Sequence, residues 1–385
     1  MTAHPLILAA RRTAVAPRGG AFRALQADEL AAPVIEALLA DAGVDRQAVD
    51  HVIFGNALYG GGNPARLAAL RAGLPDRVPA LTLDTQCCSG LDAILLASHL
   101  VRSGAARCVI AGGMESYSRA PIRMHRPATR DEEPVPYDRP AFAPFPERDQ
   151  DLTAAAASLA VELEISRQAQ ADYAVCSHAK AISATKQAPD LTEFVILPEA
   201  PLERDAFARP LTQATALRAP VLAGDRGSSV SAATVAVEAD AAAAVLVAEE
   251  GFTEDLTPSA SRLVRTVILD GVSRGGPPED TARVPIDAMR TLLTRLDKRP
   301  EDFACLELME AYAVQAMATV AALDWPEDRI NRSGGALGRG HPIGASGAIL
   351  VVRLFHELQR EAEGAMGLCS IAAAGGLGSA LALRR

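Results

Sequence analysis

The sequence predicts an α/β fold made of two related halves with a segment inserted between strands, and three observations carry that prediction. Strand-like and helix-like patterns alternate over residues 1–120 and resume near residue 241. Alternation at this spacing needs crossover connections, hence a mainly parallel sheet covered on both faces. An internal similarity comes second: SGLDAILLASHLVRSGAARCVIAGG (89–113) can be laid on SGAILVVRLFHELQREAEGAMGLCSIAAAGG (346–376), each running Ser-Gly, apolar helix, Gly-Ala, Cys-containing strand, Gly-Gly. Third, residues 121–240 break the rhythm with a stretch rich in Pro and Arg. Two such halves stack as five layers: helix, sheet, helix, sheet, helix.

In chain order, PLILAA reads as a strand, ADELAAPVIEALLADAGV as an amphipathic helix with Gly43 near its C-cap, and DHVIFGNAL as a second strand. NPARLAALRAGL is a helix and ALTLDT a strand. A helix from Ser89 to about Arg102 is apolar nearly all round, as a doubly covered helix must be, and a strand follows at 107–113. The inserted segment carries helices at 152–164 and 167–187. AAAAVLVAEE and SRLVRTVILDGV then restart the alternation, with a helix at 285–297, a strand at FACLELM and a helix at 310–323. The expected units are residues 1–120 with 241–255, a loop domain at 121–240, and a C-terminal half at 256–385.

Composition narrows the function. A chain of 385 residues exceeds one ordinary core, which fits duplication. Lys+Arg 38 against Asp+Glu 47 gives a net charge of -9 with no polybasic run, so a nucleic-acid partner is not expected. The six cysteines lack paired metal-ligand spacing, which points to reduced thiols and no metal site. The N-terminal apolar stretch is too short for a signal peptide and no run reaches membrane-spanning length. A soluble cytoplasmic protein is expected.

Two segments can carry chemistry. In LDTQCCSGLDAILLA, Cys87 stands between a buried strand and a buried helix, where free N–H groups and the helix dipole favour a thiolate and can donate to an oxyanion. Read alone, the segment fits a small packing cysteine equally well. In INRSGGALGRGHPIGASGAIL, His341 lies between Gly340 and Pro342; the proline keeps its backbone out of the helical region, and the glycines admit close approach of a substrate. An ordinary loop histidine stays open there. The glycines match neither a phosphate loop nor a dinucleotide fingerprint.

Taken together, these segments resemble the thiolase family over nearly the whole chain. The resemblance rests on AARRTAVAPRGGAF, GNPARLAALRAGLP, QCCSGLDA, AGGMESYSRAP, EISRQAQADYAVCSHAKA, GGALGRGHPIGASGA and AGGLGSALAL. It implies a five-layered thiolase-like αβαβα fold, with the loop domain at 121–240 binding coenzyme A. It also implies ping-pong acyl transfer on acyl-CoA thioesters. Cys87 would be the nucleophile, His341 its base, and the backbone N–H groups of Cys87 and Ala374 the oxyanion donors. Arg209, Ser231 and Gly375 are the expected substrate contacts, with the coenzyme A thioester as substrate and no separate cofactor. A homodimer or homotetramer is implied as well.

Two positions depart from the family. The acid/base cysteine of its closing CxGGGxG motif corresponds to Ala372, and the asparagine of its NEAF motif to Met309. A methyl group cannot move a proton, and a thioether donates no hydrogen bond. Cys369 is an odd number of residues away along a strand, so its side chain is expected on the opposite face. Both departures fall on carbon-carbon bond chemistry, whereas thioester exchange needs only Cys87, His341 and backbone donors. Three readings follow: carbon-carbon acyl transfer, acyl transfer to nitrogen, oxygen or water, and a non-catalytic subunit. His125, beside Arg123 and Arg126, is a possible phosphate contact, whereas His178 and His356 are expected to be structural.

Overall fold

The structure is a computed structural model that describes residues 4–187, 191–225, 227–255 and 265–385. The first half contains β1 (Leu6–Thr13), α1 (Ala27–Ala42), β2 (His51–Gly55), α2 (Pro64–Arg71), β3 (Ala80–Leu83), α3 (Ser89–Arg102) and β4 (Cys108–Ser116). The inserted segment carries α4 (Leu152–Glu162), α5 (Arg167–Gln187) and α6 (Gln213–Arg218), and the first half closes with β5 (Ala239–Ala248). The second half contains β6 (Thr266–Gly275), α7 (Val284–Leu296), β7 (Phe303–Leu308), α8 (Ala313–Leu323), α9 (Ala336–Arg339), α10 (Ile343–Leu358), β8 (Met366–Ala373) and β9 (Leu377–Arg384).

Local chemistry explains several boundaries. α1 stops where Gly43 takes φ 62° and its N–H reaches back to Ala40, the left-handed cap that glycine adopts without strain. α2 begins with Pro64 after Asn63, whose side chain accepts from the Arg66 N–H. α8 starts at Ala313 rather than at 310: Tyr312 is extended, with φ -131°, and bridges to Val235.

The sheets differ from the expectation of mainly parallel strands. In the first half the order is β3-β2-β4-β5-β1, with β2 parallel to β3 and β4, and β5 antiparallel to both β4 and β1. In the second half it is β7-β8-β9-β6, with only β7 and β8 parallel. Each half therefore ends its parallel run with a strand that returns from the same sheet end. Such a return needs no helical crossover, so alternation alone could not reveal it. A short antiparallel contact of Leu6 with Val267 and Ile7 with Thr266 joins the two halves.

Three buried clusters mark the layers. α1 and α2 cover one outer face, α7 and α8 the other, and α3 with α10 fills the space between the sheets. The Ser-Gly pairs of the internal repeat lie where these central helices touch. A Cβ on Gly90 would stand 2.7 Å from the Ala348 nitrogen, and one on Gly347 would stand 2.5 Å from the Leu91 nitrogen. Only hydrogen fits at either position.

The inserted segment is not a detached unit. Its Phe194–Val195 strand pairs with Arg12 and Thr13 of β1. Glu193 lies in a buried ionic group with Arg12 and Arg353, and Arg12 also holds Asp205 at 2.6 Å. The expected boundary at 255/256, and residues 261–264 of the expected strand, fall at or outside the described residues. Among the described residues no helix is long and apolar enough to cross a membrane.

Candidate active site

Cys87 is held in a sharp turn between β3 and α3. Gln86 takes φ 55°, a left-handed conformation uncommon for a residue with a side chain. The turn is fastened by its own polar groups. The Thr85 N–H donates to Ser89 Oγ at 2.9 Å, Ser89 Oγ donates to the Gln86 carbonyl at 2.6 Å, and Thr85 Oγ1 donates to Asp92 at 2.6 Å. Cys88 is buried behind the turn, with its thiol on the Ile371 carbonyl at 3.5 Å.

His341 arrives from the other central helix. Gly340 has φ 117°, the His341 N–H donates to the Val237 carbonyl at 2.8 Å, and Pro342 leads into α10. The imidazole Nε2 lies 3.1 Å from Cys87 Sγ, while Nδ1 lies 2.7 Å from Ser346 Oγ. Ser346 Oγ also stands 3.3 Å from the Pro342 carbonyl, which can take the hydroxyl proton. With that proton committed, the serine accepts from Nδ1–H, which leaves the Nε2 lone pair facing the thiol. This is the tautomer a general base needs.

The electrostatics correct one expectation. Burial pushes the Cys87 thiol up to about 12, only partly opposed by the Ala374 and Cys87 N–H groups, and Glu115 and Asp84 raise it further. Burial also lowers His341 to about 4. The resting pair is thus a neutral thiol beside a neutral imidazole. Desolvation outweighs the pull of the α3 N-terminus, so no standing thiolate forms. Glu115, pushed up to about 7 by burial, accepts from the N–H groups of Ala57 and Gly344 at 3.0 Å and thereby ties α10 to the end of β2.

A cavity of about 290 Å³ opens on the pair and is lined by Cys87, His341, Tyr117, Phe142, Leu159, Tyr312 and the run Ala372–Ala374. Ala374 opens the three-residue turn between β8 and β9, and Gly375 continues it at φ 83°. Ala372 is among the residues that line the cavity. Met309 is buried nearby, with its N–H on the Ser370 carbonyl at 3.0 Å. Cys369 is buried in the central core beside Ile371, outside the cavity lining.

The other expected contacts are not brought to this cavity. Arg209 is exposed, with its guanidinium 4.2 Å above the Phe207 ring. Ser231 is buried away from the lining, and its hydroxyl has no partner. His125 stacks on Tyr137 at 4.3 Å in an exposed hairpin. Sequence reasoning missed Ser346, Gln315, Glu238 and Glu279; only Ser346, one turn into the helix after His341, left a readable signal. A separate depression of about 820 Å³ between α5 and α8 contains Glu310 and lacks the cysteine and histidine pair.

A cysteine and an imidazole in contact, with two backbone N–H groups beside the sulfur on an α/β scaffold, have the groups that acyl transfer uses. Family models confirm the class: the thiolase N-terminal domain matches residues 6–251 and the thiolase C-terminal domain residues 263–385. The chain is 35% identical over 395 residues to the acetyl-CoA acetyltransferase of Cupriavidus necator, covering 99% of each protein. The crystal structure of the Bacillus anthracis acetyl-CoA acetyltransferase superposes with a TM-score of 0.91 at 30% identity, covering 100% of this chain and 99% of that one. Human mitochondrial 3-ketoacyl-CoA thiolase in complex with CoA gives 0.89 at 27% identity, covering 100% and 98%. The protein belongs to the thiolase family and is an acyltransferase.

Proposed function

We propose that the protein transfers acyl groups from acyl-CoA thioesters through an acyl-Cys87 intermediate, and that its reaction is carbon-carbon acyl transfer in the Claisen or retro-Claisen direction. The observation that supports this most directly is the 3.1 Å approach of His341 Nε2 to Cys87 Sγ. As the sulfur attacks the thioester carbonyl, its proton passes to Nε2, so the unfavourable free thiolate is never fully formed. Negative charge moves onto the carbonyl oxygen, where the N–H groups of Cys87 and Ala374 receive it. Collapse expels CoA, which takes the proton back from His341. The chemistry uses the thioester itself and draws on no further cofactor.

In the second half-reaction, Ala372 and Met309 offer no proton relay and no polar anchor. Losing a general acid or base costs roughly 10²–10⁴ in rate. Carbon-carbon transfer then relies on His341 for the acceptor's proton. Ala372, a cavity-lining residue with no acid or base on its side chain, favours a second reading, in which acyl-Cys87 is released to an amine, a hydroxyl or water.

Turnover of acetyl-CoA and of 3-ketoacyl-CoA, with Cys87→Ala as the blank, separates these readings. Carbon-carbon products above the blank support the first; an acylated Cys87 that discharges only to other acceptors supports the second. An unacylated Cys87 with every thioester defeats both and leaves a non-catalytic subunit. The same proposal includes a homo-oligomer, a dimer or tetramer, which sedimentation would test, and a cytoplasmic setting.

A further inference from the structure

Carbon-carbon transfer moves negative charge onto two oxygens in turn, and the donors described above serve only the first. The acyl carbonyl has the N–H groups of Cys87 and Ala374 beside it. The carbonyl oxygen of the acceptor, which takes up charge when the α-carbon loses a proton, receives nothing from Ala372 or Met309, whose side chains carry no donor.

Most polar side chains of the cavity lining are already committed. Glu238, Glu279 and Asp280 are paired with Arg18, Arg148 and Arg283, at 2.8, 3.0 and 3.3 Å. Thr281 Oγ1 donates to the Pro278 carbonyl at 3.1 Å, and the Tyr312 phenol shares a hydrogen bond of 3.0 Å with Thr153. His341 holds Ser346, and Gln315 Nε2 reaches Thr319 Oγ1 at 3.5 Å. Two side-chain donors remain, the phenol of Tyr117 and the amide of Gln86, and neither has a hydrogen-bond partner among the described residues. Tyr117 is half-buried, and its free hydroxyl is not sealed into the protein.

Of the two, Tyr117 is the better presented. It follows directly on β4, and Asp240 of β5 accepts the N–H groups of Tyr117 and Ser118, the latter at 2.9 Å. Burial raises the phenol, and the nearby charges of Glu238, Cys87 and Glu115 raise it further, so it stays protonated and able to donate. A phenol on a stiff ring has little freedom to lose, whereas the Gln86 amide is ordered only by fixing a long, flexible side chain.

Resting on the acyl-Cys87 reading and its carbon-carbon branch, we propose that Tyr117 is a further catalytic residue, its phenol donating to the carbonyl oxygen of the acceptor thioester as that oxygen takes up enolate charge. The α C–H bond of the acceptor breaks, its proton passes to His341 Nε2, and the electron pair moves onto the oxygen held by Tyr117. The pair then returns and the α-carbon bonds to the acyl carbonyl carbon. The bond from that carbon to Cys87 Sγ breaks, and His341 gives its proton to the sulfur. The Tyr117 proton is shared with the oxygen and never transferred.

Tyr117→Phe removes the hydroxyl, keeps the ring and breaks no internal hydrogen bond, so the variant should fold, as circular dichroism would show. Two processes are followed in the full-length protein. Acylation of Cys87 by acetyl-CoA is read by intact mass, and the second half-reaction by exchange of acetyl-CoA α-hydrogens with heavy water and by formation of 3-ketoacyl-CoA. Acylation should stay within about twofold of native while exchange and condensation fall by about 10²–10³, the cost of one oxyanion donor. Exchange and condensation at the native rate overturn the inference and leave the proposed function standing. Acylation slowed as much as condensation also overturns it, because a structural role moves both. If Gln86→Met gives the split and Tyr117→Phe does not, the donor is Gln86 and the assignment to Tyr117 falls. Native acylation without exchange or carbon-carbon product defeats the carbon-carbon branch and this inference together, whereas an unacylated native Cys87 defeats the acyl-Cys87 reading itself.

Discussion

Four strands follow one order in both halves, β2-β4-β5-β1 and β7-β8-β9-β6, and the halves differ most at one connection. Between β4 and β5 the chain runs out through residues 117–238, whereas the equivalent link between β8 and β9 is the three-residue turn Ala374–Gly376. The long link supplies α4 and the Tyr117 and Phe142 walls of the cavity. The short one puts a backbone N–H beside the nucleophile. Duplication thus gives two similar frames whose loops are free to diverge, and the site forms where the divergent loops face each other. The catalytic pair follows the same logic, because Cys87 enters from the start of α3 and His341 from the start of α10.

The largest test removes one contributor of that pair. His341→Ala should slow Cys87 acylation by about 10²–10⁴, measured by stopped acylation and intact mass. In the native protein the acid limb of acylation should fall near pH 4 rather than near 6.5, because burial lowers His341 and the neutral base persists to lower pH. A limb near 6.5 would show that the imidazole is better solvated than the structure has it.

Next in size is the bond between the insertion and the frame. Burial raises the Glu193 carboxyl, but Arg12 and Arg353, with His356, outweigh it and hold it below the ordinary range. A depressed folded value means that its stabilisation is present above the unfolded carboxylate range and is lost as pH falls through the lower folded value. Glu193→Gln should cost about 3–5 kcal/mol by denaturant unfolding, since it leaves two buried guanidinium groups short of a partner. A cost near zero would mean that the insertion merely rides on the first half.

A smaller effect is expected at the helix crossing. Gly347→Ala should cost about 1–3 kcal/mol, because α3 and α10 must move apart to admit the methyl group. Smallest is Ser346→Ala. The loss of the Nδ1 partner should reduce acylation about tenfold with little change in unfolding, the scale of a single hydrogen bond. If Ser346→Ala matched His341→Ala, tautomer control would dominate the base.

Much of this was legible in the residues. The Ser-Gly repeat announced two equivalent central helices, and the structure gives it a steric reason in the crossing of Gly90 and Gly347. Cys87 and His341 stood out because a strand-helix junction and a Gly-His-Pro turn are local features. Strand directions were not legible, since β5 and β9 return antiparallel without any local mark of it. Nor was the protonation state of Cys87, where the α3 N-terminus is visible in sequence but the desolvation that overrides it comes from distant walls. The placement of Arg209, exposed with its guanidinium over Phe207, was likewise not legible in the sequence.

By itself the sequence determined the periodicities, the caps, the duplicated elements and the identity of the reactive side chains, because those depend on neighbours a few residues apart. Only the tertiary structure decided that residues 254 positions apart meet at 3.1 Å, which faces are dry enough to keep both groups neutral, and which side chains line the cavity. Burial and electrostatics sum over everything nearby in space, and chain order does not record that proximity.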